Sequence, residues 1–339
     1  MSNAINARAI NTDAADADVS TARGRVLFIG DTHANDRTPE WRNDNYLNAC
    51  VIELAEALSI ADERGCDAVV HLGDVFHRLE PSGECRNRIL ATFRHDEGGR
   101  PWPFRKFVVL GNHDIRSHID NLERSALGTL ICAGVVEHTE GCEELGLGFG
   151  HFHSGIEDAL RGGWLQGKPP LIWALHAMVV TSKPPFDDYI LFDEMPLDTA
   201  CRLVVAGHYH PPLEQVRTDG ARFINPGSVC RLSLKADELT RQPSVLLVDY
   251  ALDGSDLRTE MITLTSCRPA SEIFRIAEAE ARATQSALMG RYLAQIGAVI
   301  AYTATDDLCQ SLHDAGRAKG VPDAVILTAV KAVKIVQQR

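Results

Sequence analysis

The chain lacks a C-x-x-C pair, and its nine cysteines are scattered and odd in number. That pattern argues against a disulfide framework and against a thiolate zinc site, and it points to a reducing compartment, the cytoplasm. No apolar run approaches the roughly 18 residues needed to span a bilayer, so no membrane association is expected. Residues 1–23 are polar and Asp/Ala-rich, without an apolar stretch fit for a signal peptide, and read as a flexible leader. No internal repeat or low-complexity segment stands out. An excess of positive charge is missing as well. The formal net charge of −12 taken alone speaks against a polyanionic partner. Its distribution weakens that inference: residues 267–339 hold nine Lys/Arg against seven Asp/Glu, which is +2 and leaves −14 for the rest. Net charge therefore does not decide the substrate.

What is present is ordinary globular material. The 339 residues are 45% hydrophobic and 24% charged, enough for one large domain and a small one. Arg25–Gly30 reads as a buried strand. Leu47, Val51, Leu54, Leu58 and Ala61 then recur at helical spacing, with Gly65 as a C-terminal stop. Ala68–Leu72 and Phe107–Leu110 read as further strands, separated by a helix around Arg86–Arg94. This β-α-β-α-β alternation predicts an α/β protein with a parallel sheet. Later strands fall at Leu171–Leu175 and Leu203–Ala206. The runs Arg222–Asn225, Ser244–Tyr250 and Leu257–Leu264 suggest a second, more antiparallel sheet. From Ser271 onward the chain is Ala-rich and helical, with stripes Leu288/Tyr292/Ile296 and Ile326/Val330/Val333. The pattern places a flexible leader at 1–23, a catalytic domain at 24–266 and a helical C-terminal module at 267–339.

Five short blocks carry the chemistry: Asp31-Thr32-His33, Gly73-Asp74, Gly111-Asn112-His113-Asp114, His176, and Gly207-His208-Tyr209-His210. Each follows an apolar run, so its side chains are presented at the end of a buried strand, where ligands collect in open α/β sheets. A lone D-x-H or Gly-Asp is more often a strand-ending turn, and Ala174-Leu175-His176-Ala177 taken singly reads equally as a core histidine. The joint occurrence carries the argument. Carboxylate, imidazole and amide donors suit borderline-hard divalent ions such as manganese, iron or zinc.

The order of the blocks, with gaps of 43, 38, 64 and 32 residues between successive ligands, resembles the calcineurin-like metallophosphoesterases. The resemblance implies a four-layer sandwich, two mixed β-sheets flanked by helices. It also implies two divalent metal ions, manganese foremost, with iron, zinc or magnesium as alternatives. By the same resemblance Asp31, His33 and His210 hold one metal, Asn112, His176 and His208 the other, and Asp74 bridges them. His113 then faces the leaving-group oxygen as a catalytic residue, with Asp114 orienting its imidazole.

Gly73-Asp74-Val75-Phe76-His77, followed by Pro81-Ser82, is similar to the double-strand-break repair nucleases to which SbcD belongs. In those enzymes the equivalent histidine assists nuclease chemistry, which makes His77 a second catalytic candidate; otherwise it is a loop histidine bonded to backbone. Phe223-Ile224-Asn225-Pro226-Gly227-Ser228 resembles the matching segment of such proteins, with Arg231 beyond it as a candidate phosphate contact. A plain Asn-Pro-Gly turn accounts for the segment equally well. His151 and His153 read as structural or rim positions. The resemblance covers residues 24–265. SbcD-like chains continue into a capping domain and a segment that docks on an ATPase, whereas here the helical tail stands in that place, as in a compact, phage-type relative.

The expectation is a two-metal DNA exo/endonuclease of SbcD type, with DNA and an SbcC-like ATPase as partners and a homodimer as a further option. The alternative is a phosphoesterase of the same superfamily acting on small molecules or phosphoproteins. A third reading, a non-catalytic scaffold of this fold, sits poorly with an intact His113 and a full set of ligands.

Overall fold

The computed structural model describes residues 22–115, 119–163, 169–300 and 308–337. The expected leader lies outside the described residues apart from Ala22 and Arg23. The chain forms two compact units, Met1–Phe274 and Arg275–Arg339. The first reaches beyond residue 266 because the segment that follows is bound into it. Glu56 accepts from the backbone N–H of Thr265 and Ser266, at 2.7 and 2.9 Å. Cys267, Ala270, Ile273 and Phe274 are buried, and the N–H of Asn43 donates to the Ile273 carbonyl at 2.9 Å.

The expected alternation is present as β1 (Arg23–Ile29), α1 (Tyr46–Glu63), β2 (Ala68–His71), α2 (Gly83–Arg94) and β3 (Arg105–Val108). Asn45 caps α1 by accepting from the Asn48 N–H, and Leu47, Cys50, Leu54, Leu58 and Ala61 form its buried stripe. Ile52, on the opposite side, is exposed. The chain continues through α3 (Ala126–Cys132), β4 (Gly141–Cys142), β5 (Leu147–Gly150), α4 (Ile156–Arg161), β6 (Ile172–His176), β7 (Val179–Val180), β8 (Ile190–Leu191) and β9 (Leu203–Gly207). It closes with β10 (Leu213–Val216), β11 (Arg222–Asn225), α5 (Ala236–Thr240), β12 (Ser244–Ala251), β13 (Leu257–Thr263) and α6 (Ala270–Ile273).

Two sheets carry these strands, in the orders β13-β12-β1-β2-β3 and β10-β11-β9-β6-β5-β4. One expectation is corrected here. Ser244–Tyr250 and Leu257–Leu264 do not join Arg222–Asn225 in a second sheet. Instead β12 lies antiparallel to β1, from Arg23↔Ala251 to Phe28↔Leu246, and β13 flanks it. β11 pairs in parallel with β9 in the other sheet. Burial of β12 on both faces demands a central place in a sheet, and β1 had a free side to offer.

The layers follow from alternation along the strands. Val26, Phe28, Val70, Leu246 and Val248 point between the sheets, against Phe149, Ile172, Ala174, Val205 and Ile224. The opposite face of the first sheet, with Leu27, Ile29, Val69 and Leu247, packs on α1, α2 and α3. The opposite face of the second, with Trp173, Leu175, Val204 and Phe223, packs on α4. The unit is a four-layer α/β sandwich of two mixed sheets.

The second unit contains α7 (Ile276–Ile300), α8 (Leu308–Ala318) and α9 (Asp323–Gln337). Tyr292, Leu312, Val325, Ile326 and Ala329 form its core, and the Tyr292 hydroxyl donates to the Leu312 carbonyl at 2.7 Å. Leu288, expected on the buried stripe, is half exposed. The side chains of Ile296 and Val333 fall outside the described residues.

Candidate metal centre

The five blocks sit at the carboxyl ends of β1, β2, β3, β6 and β9, three from one sheet and two from the other. Within each sheet those strands run parallel, so their ends open on the same side. Backbone bonds then lock the loops together. The N–H of His33 donates to the Asp74 carbonyl at 2.8 Å, and that of Ala34 to the Val75 carbonyl at 2.9 Å. Among the described residues, the non-glycine positions with positive φ are His33, Asp74 and His208, at 50, 51 and 84°. All three belong to the blocks, where strain of this kind typically accompanies function. Gly111 is needed for close approach: a Cβ there would lie 2.1 Å from Asp74 Oδ1.

The side chains converge in two groups. Nε2 of His33 and Nε2 of His210 are 3.0 Å apart, and Asp31 Oδ2 lies 3.7 Å from the first and 3.6 Å from the second. His176 Nε2 is 3.1 Å from both Asn112 Oδ1 and His208 Nδ1. Asp74 Oδ2 is 3.6 Å from His33 Nε2 and 3.6 Å from His176 Nε2, so it lies between the groups. The structure thus brings together Asp31, His33, Asp74, Asn112, His176, His208 and His210.

The donor chemistry fits a pair of cations. His176 Nδ1 lies 2.7 Å from the Leu72 carbonyl and must donate to it, which leaves a bare lone pair on Nε2. That lone pair faces the amide oxygen of Asn112, the carboxylate of Asp74 and Nδ1 of His208, a gathering of donor atoms suited to a cation. Burial, reinforced by neighbouring imidazoles, holds His33 and His176 well below the usual histidine range. It lowers His208 and His210 to about 4, so these rings are neutral and able to ligate at pH 7. Burial also pushes Asp31 up to about 7, and raises Asp74 with help from Asp31 and Asp114. Carboxylates crowded this way gain their ionised form from bound positive charge.

His113 flanks the cluster, its ring 4.7 Å from that of His33. Its Nδ1 donates to the His77 carbonyl at 2.8 Å, which leaves Nε2 for another partner. The His77 ring is half-buried and stacks on His113 with centroids 5.0 Å apart. Both catalytic candidates therefore lie beside the centre.

Two expectations are corrected. Asp114 does not hold the His113 imidazole. It is buried, and its Oδ2 accepts from the backbone N–H of Asp74 and Gly111, at 2.8 and 3.0 Å. It shapes the loop that carries Asp74. Arg231 is no phosphate contact. It is 1% exposed, and its guanidinium donates to the carbonyls of Glu238, Arg241 and Arg268, at 3.1, 2.7 and 2.7 Å. Its remaining N–H groups reach Cys267 Sγ and Gln242 Oε1, at 2.9 and 3.4 Å, so no direction is left to offer a phosphate.

The Asn-Pro-Gly-Ser segment does more than turn the chain. The Asn225 amide donates to the Tyr209 carbonyl at 2.5 Å, and the N–H of Ser228 to that of His210 at 3.0 Å. The N–H of Val229 reaches the Asp31 carbonyl at 3.0 Å. One strand-ending segment thus grips the first and last blocks. His151 is structural as expected, with Nδ1 accepting from the Leu110 N–H at 3.1 Å and Nε2 donating to the Thr139 carbonyl at 3.0 Å.

Two mixed sheets whose strand ends gather carboxylates, imidazoles and an amide around a shared Asp have the make-up of a metallohydrolase. The chain belongs to the calcineurin-like phosphoesterase family, whose model matches residues 24–212. Its curated relatives include the DNA double-strand break repair protein Mre11 of Archaeoglobus fulgidus. That protein is 26% identical over 276 residues, which cover 72% of this chain and 58% of the relative. Mre11 of Haloferax volcanii is 33% identical over 112 residues, 31% of this chain and 23% of the relative. The chain therefore spans less than two thirds of either relative. Among solved structures, a dimetal phosphatase from Danio rerio is 13% identical, covering 71% of this chain and 99% of its own, with a TM-score of 0.40. Among the described residues, no helix is long and apolar enough to cross a membrane.

Proposed function

We propose that the protein is a two-metal phosphoesterase that cleaves phosphodiester bonds in DNA, an exo/endonuclease of SbcD type working in the cytoplasm. The observation that carries the nuclease step is the stacked pair His77 and His113, with the His77 carbonyl fixing the His113 ring. The two Mre11 relatives, distant as they are, agree with it.

In this reading Asp31, His33 and His210 hold one divalent ion and Asn112, His176 and His208 the other, with Asp74 shared; manganese suits the donor set. When bound, such a pair supplies Lewis-acid stabilisation of the phosphoryl oxygens and an acidified water as nucleophile. The protein's own groups do the rest. The His77 carbonyl fixes Nδ1–H of His113, so its Nε2 serves the leaving oxygen, as a proton donor or by stabilising its charge. His77, half-buried beside it, contacts the nucleotide on the leaving side. The proposed partners are DNA as substrate and an SbcC-like ATPase, with the helical module after Phe274 contacting one or the other.

A manganese-dependent assay comparing hairpin, single-stranded and duplex DNA with bis(4-nitrophenyl) phosphate tests this. Cleavage of at least one DNA, abolished by chelator, is expected. Turnover of the aryl diester with every DNA left intact, with and without the ATPase, would overturn the nuclease reading and favour a small phosphodiester.

A further inference from the structure

Behind the candidate metal centre lies a buried carboxylate that the ligand scheme does not use. Glu238, on α5, is 1% exposed. Its Oε2 accepts from Nη2 of Arg241 at 2.9 Å. Arg241 is itself anchored, donating to Ser228 Oγ at 2.7 Å and to the Cys230 carbonyl at 2.9 Å. With Oε2 gripped in this way, Oε1 faces Nδ1 of His210 at 3.9 Å. On the far side of the same ring, Nε2 lies 3.0 Å from His33 Nε2 and 3.6 Å from Asp31 Oδ2. The imidazole is thus set between a fixed carboxylate and the donor cluster. About 1 Å of ring movement would close the outer contact to a hydrogen bond. The neighbouring His208 has the opposite orientation, with Nδ1 turned into the cluster, 3.1 Å from His176 Nε2.

We infer that Glu238 is a positioning residue for His210: it accepts the Nδ1 proton, so that Nε2 presents its lone pair to a divalent ion. The His210 side chain is 28% exposed, so packing alone leaves the ring room to turn and the carboxylate supplies the missing restraint. A negative acceptor on the outer nitrogen also makes the inner one a stronger donor. The inference rests on the two-metal reading and says which of the two ions depends on Glu238, namely the one held with Asp31 and His33.

The test uses the full chain, stripped of metal and titrated with Co²⁺. Calorimetry gives the stoichiometry and both dissociation constants, and proton NMR gives the hyperfine-shifted, exchangeable imidazole N–H signals. Glu238→Gln keeps the side-chain volume and an acceptor for Arg241. It should weaken one of two ions by about 10–100-fold and leave the other unchanged. One imidazole N–H signal should shift or exchange faster with solvent, while the metal-free protein stays folded, its melting temperature lowered by loss of the buried charge pair with Arg241. Glu238→Ala should weaken the same ion further. Wild-type affinity for both ions with unmoved N–H signals would overturn the inference, as would equal weakening of both ions. A wild-type chain that takes up no Co²⁺ would instead overturn the two-metal reading itself.

Discussion

Replacing Asp114 by alanine separates two accounts of that residue. If Asp114 oriented His113, the variant would keep its metal and lose rate. The contacts point elsewhere: Oδ2 receives the N–H of Asp74 at 2.8 Å and of Gly111 at 3.0 Å, and the residue is 1% exposed. Removing it strands two buried N–H groups at about 1–3 kcal/mol each, or roughly 2–6 kcal/mol. Part of that is offset, because the deleted carboxylate was itself costly to bury, its pKa pushed up to about 7 chiefly by burial. A net loss of about 2–4 kcal/mol should lower the melting temperature by about 5–15 °C in a domain of this size. The metal should go as well. Asp74 has φ of 51°, a conformation that costs about 1–3 kcal/mol in a non-glycine residue and persists only under restraint. Freed, the loop relaxes and withdraws the carboxylate that lies between the two groups of candidate ligands. Melting curves and metal content after dialysis are the assays. An Asp114→Ala protein with two bound ions, wild-type melting and only slower turnover would refute this reasoning.

Other expectations follow from single contacts. His113→Ala should keep both ions and lose about 10²–10⁴-fold in rate, read by metal analysis beside kcat; loss of metal would contradict its place outside the ligand set. His77→Ala should reduce DNA cleavage more than turnover of an aryl diester, and equal losses would remove the case for a nuclease role. Arg231→Met leaves the carbonyls of Glu238, Arg241 and Arg268 without their donor. It should cost about 3–6 kcal/mol with KM for DNA unchanged, whereas a raised KM at wild-type stability would restore it as a phosphate contact. His71 is fully buried, bonded to Thr32 Oγ1 at 2.8 Å, and lowered by burial to about 3. The folded state keeps it neutral while the unfolded chain protonates near 6.5. Its contribution is therefore complete above that pH and declines as pH falls toward 3, by up to about 1.4 kcal/mol per unit. Melting between pH 7 and 5 should fall less steeply in His71→Asn than in the wild type, and parallel slopes would refute it.

That the five blocks converge was legible because a candidate coordination set restricts side-chain types severely and because parallel strands deliver their ends to one place. Asp31, Asp74 and His208 are separated by long stretches of chain, yet each could be found from an apolar run ending in a polar donor. Supporting residues leave no such trace. Asp114 acts on a backbone N–H forty positions away, and a carboxylate adjacent to a candidate catalytic histidine reads in sequence as that histidine's partner. A guanidinium that ties down three carbonyls is likewise indistinguishable from one awaiting a phosphate, which is how Arg231 came to be misplaced. β12 was legible as a buried strand, but hydrophobicity says that a strand needs neighbours and not which ones. Glu238 and Arg241 gave no signal at all, since their meaning depends on α5 folding back against Ser228 and His210.

The two classes of residue are linked through strain. His33, Asp74 and His208 hold left-handed backbone without being glycine, together a burden of several kcal/mol at about 1–3 kcal/mol apiece. Something must over-determine each conformation. For His33 it is the Asp74 carbonyl, for Asp74 the carboxylate of Asp114, and for His208 the carboxylate of Asp31, which accepts its N–H at 3.1 Å. The candidate ligands thus restrain one another's backbones, while Asp114 and the Asn225–Val229 segment restrain them from outside. A centre built this way forms as a whole, so damage to a supporting contact should resemble loss of a ligand more than loss of a catalytic group.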